Sequence, residues 1–521
     1  MKVMALTAIV AAVAVVSIRW GSFVAGGPDS YCYVYQAQRW AALLSLSGPL
    51  QPSERLVMEA SWPDAPLTFA PVGHTPSATV SGANAPICPA GLSVAMAPLV
   101  IVGGPRAAFA AVPLFAVLLV LATYTVGARF GARVGIAAAV LAACSPVFLY
   151  QAVQPMSDVP AAALWMLAVA AATGTGRRHA LWSGLASSAA IVMRPNLVPI
   201  GVAIGVFLLL RPERRWRPRI DAALTYAAAS IPGCLAVAAV QYTFFGSPLS
   251  SGYGSVDALF GSEHVWPNVQ RYLPWLLETH TPFVAVALLA PLLLPGALST
   301  LLLGIFAINL VLYLPYLEFE DWSFLRFLLP SLPLVLILTA AGVDAIIGRL
   351  PFGLPRQAGA PAARRSSFRD AALAVMVLAL GFLYVREARD RQVFRLQTLE
   401  SRFERAGLYV RDRLPANAWV ITSWHSGSVR FYGERQTLVW TALDPASLDR
   451  ALTFIERRGD EPYLLFERWE EPQFRARFKG TSTGALDWPP AAEIGAQVRI
   501  YRPADRERYL KGEAPPTDYA R

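Results

Sequence analysis

Residues 107–127 read AAFAAVPLFAVLLVLATYTVG, an apolar run without a charged side chain. As a helix it is long enough to cross about 30 Å of hydrocarbon. Comparable runs stand at Val134–Leu149, Ala222–Phe245 and Phe327–Ile347. Shorter ones stand at Val3–Ile18, Val159–Thr173, Ala180–Met193, Pro195–Leu210, Phe283–Leu294, Leu298–Tyr313 and Ala371–Val385. Backbone inside lipid must satisfy its own hydrogen bonds, so these runs are expected to be helices. Composition agrees: 55% of the 521 residues are hydrophobic and 15% charged, against about 25% charged in soluble domains. The predicted fold class is mainly α, a polytopic helical membrane bundle of about eleven spans. The first run is read as a span rather than a cleaved leader, because no A-x-A-like site follows it at the right distance.

Orientation follows from arginine. Loops after alternate spans hold Arg129 and Arg133; Arg177 and Arg178; Arg211, Arg214, Arg215, Arg217 and Arg219; and Arg349, Arg356, Arg364, Arg365 and Arg369. The intervening loops are poor in Lys and Arg, so the basic loops are expected on the cytoplasmic side. The net charge of +10 then reflects topology and anionic lipid, and no nucleic-acid partner is implied. An odd number of spans places the carboxyl-terminal tail outside.

The expected division is a transmembrane domain over 1–386 and a soluble extracytoplasmic domain over 387–521. The first outer loop, about 19–90, opens with SYCYVYQAQRWAALL (30–44), whose spacing predicts an amphipathic helix at the interface. The second, about 246–281, carries Tyr253, His264, Trp266, Arg271, Tyr272 and Trp275, which read as surface anchors. PFGLPRQAGAPAARRSSFR (351–369) reads as a flexible linker. In the tail, LQTLESRFERAGLYVRDRL (396–414) is an amphipathic helix. AWVITS (418–423), TLVW (437–440), PYLLFE (462–467) and VRIYRP (498–503) are strand-like. DPASLDRALTFIERRG (444–459) is a helix capped by Asp444 and closed by Gly459. Strands alternating with helices predict a small α/β domain.

Four cysteines divide evenly. Cys144 and Cys234 fall within spans, whereas Cys32 and Cys88 share the first outer loop, where a disulfide is one reading and two unrelated small residues the other. Three charged positions could carry chemistry. Asp29 follows Gly-Gly-Pro as the chain leaves span one, with Tyr31, Tyr33 and Tyr35 after it; it could cap the helix that follows or act as a base. Asp158, in QPMSDVPAAAL, has the same two readings. Arg326 stands at the mouth of span ten beside Glu318, Glu320 and Asp321; it could pair with those acids or hold a phosphate.

Taken together, GGPDSYCYVYQAQRW (26–40), CPAGLSVAMAPLVIVGGPRAAF (88–109), SPVFLYQAVQPMSDVPAAAL (145–164), GLASSAAIVMRPN (184–196) and LRFLLPSLPLVLIL (325–338) resemble segments of GT-C-type membrane glycosyltransferases. The resemblance is to the group of dolichyl-phosphate-mannose-protein mannosyltransferases and the bacterial aminoarabinose transferase. It implies a sugar donor on a polyprenyl phosphate, an acceptor that is a lipid, glycan or protein, and a site on the non-cytoplasmic face of the plasma (inner) membrane. It further implies that Asp29 is the catalytic base, Asp158 a second site acid, and Arg326 the donor-phosphate contact, with Tyr31, Tyr33 and Arg194 against substrate. Many members have two adjacent acids in the first loop. Here Ser30 follows Asp29, so the paired-acid motif that would support a divalent metal is missing; a divalent metal stays open and no other cofactor is implied. The rival class is a transporter or flippase of lipid-linked sugars. Such proteins bury ionisable groups near the bilayer midplane, whereas the acids here stand at span ends.

Overall fold

A computed structural model describes residues 2–44, 51–52, 59–211, 215–349 and 362–520. Each of the apolar runs forms a helix, from Lys2–Arg19 to Ala362–Asp390. Four helices are long and apolar enough to cross a membrane singly: Pro105–Gly127, Trp216–Phe245, Leu332–Arg349 and Arg369–Asp390. Two bent pairs bring the number to six. Ala132–Cys144 turns by 62° into Pro146–Ala152, and Ser262–His280 turns by 104° into Pro282–Leu293. The apolar runs of the expected bundle thus differ in length, and several are short or bent. Pro146 interrupts the run Val134–Leu149 by removing a helical N–H and clashing with the preceding turn, and Pro282 and Pro295 bound the run Phe283–Leu294 on either side. Five further apolar helices are short, among them Ala90–Gly103, which stands between the expected first outer loop and the second apolar run.

Burial sorts the bundle into an axis and a rim. Leu332–Arg349 is 78% buried over its apolar window, and Trp216–Phe245 only 17%. Leu224, Ile231 and Leu235 on the latter, and Val375, Leu378 and Phe382 on the last bundle helix, face outward. An outward apolar belt of this kind suits lipid. The arginine-bearing loops gather at one end. Asp344 accepts from Arg133 and Arg369, each at 2.7 Å. Arg211 donates to the carbonyls of Thr173 and Gly174 at 2.9 and 2.6 Å, capping the helix that Asp158 begins. The expected linker is helical from Ala362 onward; residues 350–361 lie outside the described residues.

The first outer loop is structured. Its helix, Gly27–Leu43, starts three residues before the predicted point, and the Cys32–Cys88 disulfide ties it to the base of Ala90–Gly103. Tyr31, Cys32, Tyr33, Val34, Ala37 and Trp40 are buried. The helix is thus enclosed between the bundle and the tail domain rather than laid on a lipid surface. Three short strands follow in the order Gln51–Pro52, Ala83–Pro86, His74–Pro76.

The tail domain is a six-stranded mixed sheet. Ala418–Ile421 lies between Gln436–Leu438 and Glu461–Glu467, parallel to both. Val498–Tyr501 then runs antiparallel to Glu461–Glu467, and Ala492–Ile494 and Asp518–Ala520 complete the edge. The four predicted strands and both predicted helices are present. The Asp444 carboxylate accepts from the Ala446 amide at 3.1 Å, and Gly459 closes the second helix at φ +79°. One face of the sheet is not filled by the tail alone. Trp62, Ala65 and Phe69 of the first outer loop pack into it with Trp419, Trp440 and Phe466.

Candidate active site

Gly27–Leu43 is entered through Gly26 in extended conformation, with Gly27 at φ +58° and Pro28 in the first turn. Asp29 therefore sits inside that turn and is not the capping residue. Its carboxylate accepts a hydrogen bond from Arg326 at 3.2 Å. Arg326 belongs to the short helix Trp322–Leu328, whose cap is Asp321. The acids beside Arg326 in sequence are engaged elsewhere: Asp321 accepts from the Ser323 amide at 2.8 Å, and Glu318 binds Arg271 at 2.7 Å and His264 at 3.2 Å. The reading of Arg326 as a partner of those acids is thus replaced by its pairing with Asp29.

Asp158 opens the helix Asp158–Ala172 behind Ser157 and is completely buried. Arg194, at the end of Arg177–Met193, approaches it at 3.1 Å. Both arginines lie near one ring. The guanidinium carbon of Arg326 is 5.4 Å from the centroid of Phe327 and that of Arg194 is 5.7 Å. Tyr313 stacks on the same ring at 4.7 Å. Two arginines thus flank Phe327, and each pairs with a carboxylate from a distant segment of the chain. Placing an arginine on an aromatic face and a carboxylate fixes it at low cost in freedom.

Tyr33 joins the two halves: its hydroxyl donates to Ser157 Oγ at 2.9 Å, next to Asp158. Burial, with the Asp29 carboxylate adding to it, pushes this phenol well above its ordinary value, so it stays a donor. Tyr31 points away. Its fully buried ring packs on Tyr35 and His74 at 5.3 and 5.2 Å and meets Phe431 of the tail domain edge-on at 6.4 Å. Of the candidate residues, Asp29, Tyr33, Asp158, Arg194 and Arg326 come together and Tyr31 does not.

Tyr253 of the second outer loop, expected as a surface anchor, keeps 42% of its surface exposed. Sequence reading missed two neighbours. Trp322 and Tyr150 meet at 5.2 Å beside Arg326, with Arg391 on the Trp322 face at 4.8 Å. The density of aromatics near span ends was visible, but which of them turn inward depends on packing. Among the described residues no three His, Cys, Asp or Glu side chains cluster as metal ligands would. Each site carboxylate faces a guanidinium instead, a donor set that suits an anion rather than a cation.

Residues 95–241 match the family model described as dolichyl-phosphate-mannose-protein mannosyltransferase. The whole chain superposes on the crystal structure of ArnT from Cupriavidus metallidurans bound to undecaprenyl phosphate. The TM-score is 0.58, with 12% identity over 96% of this chain and 97% of that one. The oligosaccharyltransferase of Archaeoglobus fulgidus gives a TM-score of 0.54 at 12% identity, over 91% of this chain and 71% of that one. This is the GT-C-type membrane glycosyltransferase fold. No curated protein matches the sequence. The matched family segment runs through Asp158 and Arg194, so half of the site lies within it. The expected enzyme class, a glycosyltransferase, and the expected fold class both agree with these findings.

Proposed function

We propose that the chain transfers a sugar from a polyprenyl-phosphate donor to a hydroxyl or amine acceptor on the non-cytoplasmic face, with Asp29 as base. The observation that carries this reading is the Asp29–Arg326 pair, set beside Asp158–Arg194 at the end of the bundle opposite the arginine-rich loops. A lipid phosphate leaves readily when its charge is met by a cation, and Arg326 presents a planar fork suited to phosphate oxygens. An entering phosphate would share Arg326 with Asp29. The acceptor proton would pass to Asp29 as the acceptor atom bonds to the anomeric carbon, and the carbon–oxygen bond to phosphate would break, releasing polyprenyl phosphate. A carboxylate near an oxocarbenium-like centre also stabilises it. The ArnT match, bound to undecaprenyl phosphate, and the oligosaccharyltransferase structure with a tethered acceptor peptide support a lipid-linked donor and an external acceptor.

The deciding test uses purified protein in detergent with a polyprenyl-phosphate sugar. Asp29→Asn keeps size and hydrogen-bonding capacity but cannot take a proton. Transfer should fall by roughly two or more orders of magnitude, with folding retained. Transfer at the parent rate would remove Asp29 as base.

A further inference from the structure

Asp29 is held from behind by the tail domain. The amide of Ala25 donates to the Tyr432 hydroxyl at 2.8 Å, across 407 residues of chain. Phe403, buried in the helix Leu396–Arg413, lies so close to Gly26 that a Cβ there would stand 2.4 Å from its ring. Gly26 has φ −109° and ψ 158°, a conformation any residue adopts. Space alone therefore requires glycine. The Phe403 ring is itself fixed, by the Arg402 guanidinium at 4.4 Å and the His425 ring at 4.6 Å. Arg402 and His425 in turn share the Glu467 carboxylate, at 2.7 and 3.3 Å.

The same pattern repeats on either side. Gly427 of the helix Ser426–Gly433 abuts Tyr31, with room for no Cβ before the ring at 2.3 Å. Ser426 Oγ accepts from the Val72 amide at 3.0 Å, and Arg430 donates to the Phe69 carbonyl at 2.6 Å. Gly73 closes the other flank, its missing Cβ leaving place for the Pro28 carbonyl. Gly26, Gly27 and Pro28 are thus gripped between the tail domain and residues 69–73, and the next residue is Asp29.

We infer that the tail domain is a clamp that sets the position of Asp29, with Phe403 and Tyr432 as its positioning residues. The inference rests on the reading of Asp29 as base. A displacement near 1 Å at a reacting group costs up to about a hundredfold in rate, whereas donor phosphate binding depends on Arg326 and the far side of the site. Loosening the clamp should therefore lower kcat and leave donor KM in place.

The test uses the full-length chain in detergent with a polyprenyl-phosphate sugar. Tyr432→Phe removes only the acceptor for the Ala25 amide; kcat should fall roughly tenfold with donor KM within about twofold. Gly26→Ala drives a methyl into Phe403 and should cost about a hundredfold in kcat. Adding Phe403→Ala to Gly26→Ala removes the Cγ and Cδ atoms that the new methyl would meet, and at least about tenfold should return, a coupling expected only of groups in contact. Thermal unfolding of each variant, followed in parallel, separates a displaced loop from a lost fold. Parent kcat in Tyr432→Phe and Gly26→Ala, or no recovery in the double variant, overturns the clamp. Parent turnover in Asp29→Asn instead overturns the assignment of the base, so the two failures are told apart.

Discussion

Arg326 donates to the carboxylate of Asp29 at 3.2 Å across 297 residues of chain, and neither side chain has a nearer partner of opposite charge among the described contacts. The pair joins the first outer loop to the mouth of the tenth apolar run. The Arg326 and Asp29 side chains stay partly exposed, at 17% and 30%. That partial exposure is what an anion needs in order to reach Arg326.

Replacing Arg326 by Ala should raise the donor KM by about ten- to a hundredfold, the equivalent of one lost charge-assisted hydrogen bond of roughly 1.5–3 kcal/mol. Arg326→Lys keeps the charge but loses the planar fork, and should recover only part of this. Titration of transfer rate against polyprenyl-phosphate sugar measures both. An unchanged KM in Arg326→Ala would leave Arg326 as a partner of Asp29 alone.

The fold was legible where the physics is local. Eleven apolar runs marked the bundle helices because lipid leaves backbone no alternative. Asp444 and Gly459 marked one tail helix because cap chemistry is short-range. What escaped was long-range. The edge strands Ala492–Ile494 and Asp518–Ala520 have three residues each, too short for alternation to register. Nothing in the run around Trp62 and Phe69 announces that they fill the tail domain's core. In the site, Asp29, Asp158 and Arg326 could be named from charge at span ends and from the family resemblance. Their pairing could not, since Arg326 has three acids nearer in sequence than Asp29. Tyr31 and Tyr33 are two residues apart on a helix and so face different ways, and only packing decides which faces the site.

The Cys32–Cys88 bond closes a loop with a sequence separation of 56 and pins the helix that carries Asp29. A loop of that size restricts the unfolded chain by about 4 kcal/mol in the entropic account. Cys32→Ser with Cys88→Ser should lower the thermal midpoint in detergent and reduce transfer together with it. Reductant added to the parent protein should reproduce the shift, and should do nothing to the double variant. A parent midpoint in the double variant would mean that packing of Tyr31, Val34 and Ala37 holds the helix unaided.

Glu470 and Glu467 give the tail domain opposite responses to pH. Burial raises Glu470 to about 7, and the protonated form is favoured in the folded state. Its stabilising contribution is complete below the ordinary carboxylate value near 4.5 and is lost as pH rises through about 7. Glu467 is buried too, but His425 and Arg402 overcome that and hold it down at about 2, so its contribution is present above about 4.5 and is lost as pH falls through about 2. Glu470→Gln mimics the protonated acid. It should raise the thermal midpoint at pH 8, by at most about 3 kcal/mol of stability, and change little at pH 5. A variant no more stable than the parent at pH 8 would mean that the amides of Glu467 and Trp424, which donate to Glu470 at 2.9 and 3.3 Å, support the charged form fully.

Asp158 and Arg194 test a different balance, because this ion pair is enclosed. The Asp158 side chain has no exposure and that of Arg194 only 12%. Removing two charges from water is costly, and their attraction repays it only while both are present. Arg194→Met should therefore destabilise the bundle by about 3–5 kcal/mol, because the carboxylate is left buried without its cation. Asp158→Asn added to Arg194→Met removes the orphan and should restore most of that loss. The two substitutions are in contact, so their effects should be far from additive. Transfer activity then separates structure from chemistry. If the pair only braces the helices Asp158–Ala172 and Arg177–Met193, the refolded double variant regains transfer along with stability. If either side chain meets the donor or the acceptor, the double variant is stable and still impaired. The second outcome is expected, because Arg194 shares the Phe327 ring with Arg326 and Tyr33 spans from Asp29's helix to Ser157. A thermal midpoint and a transfer rate that both return to the parent values would reduce Asp158 and Arg194 to a structural strut and leave the chemistry to Asp29 and Arg326.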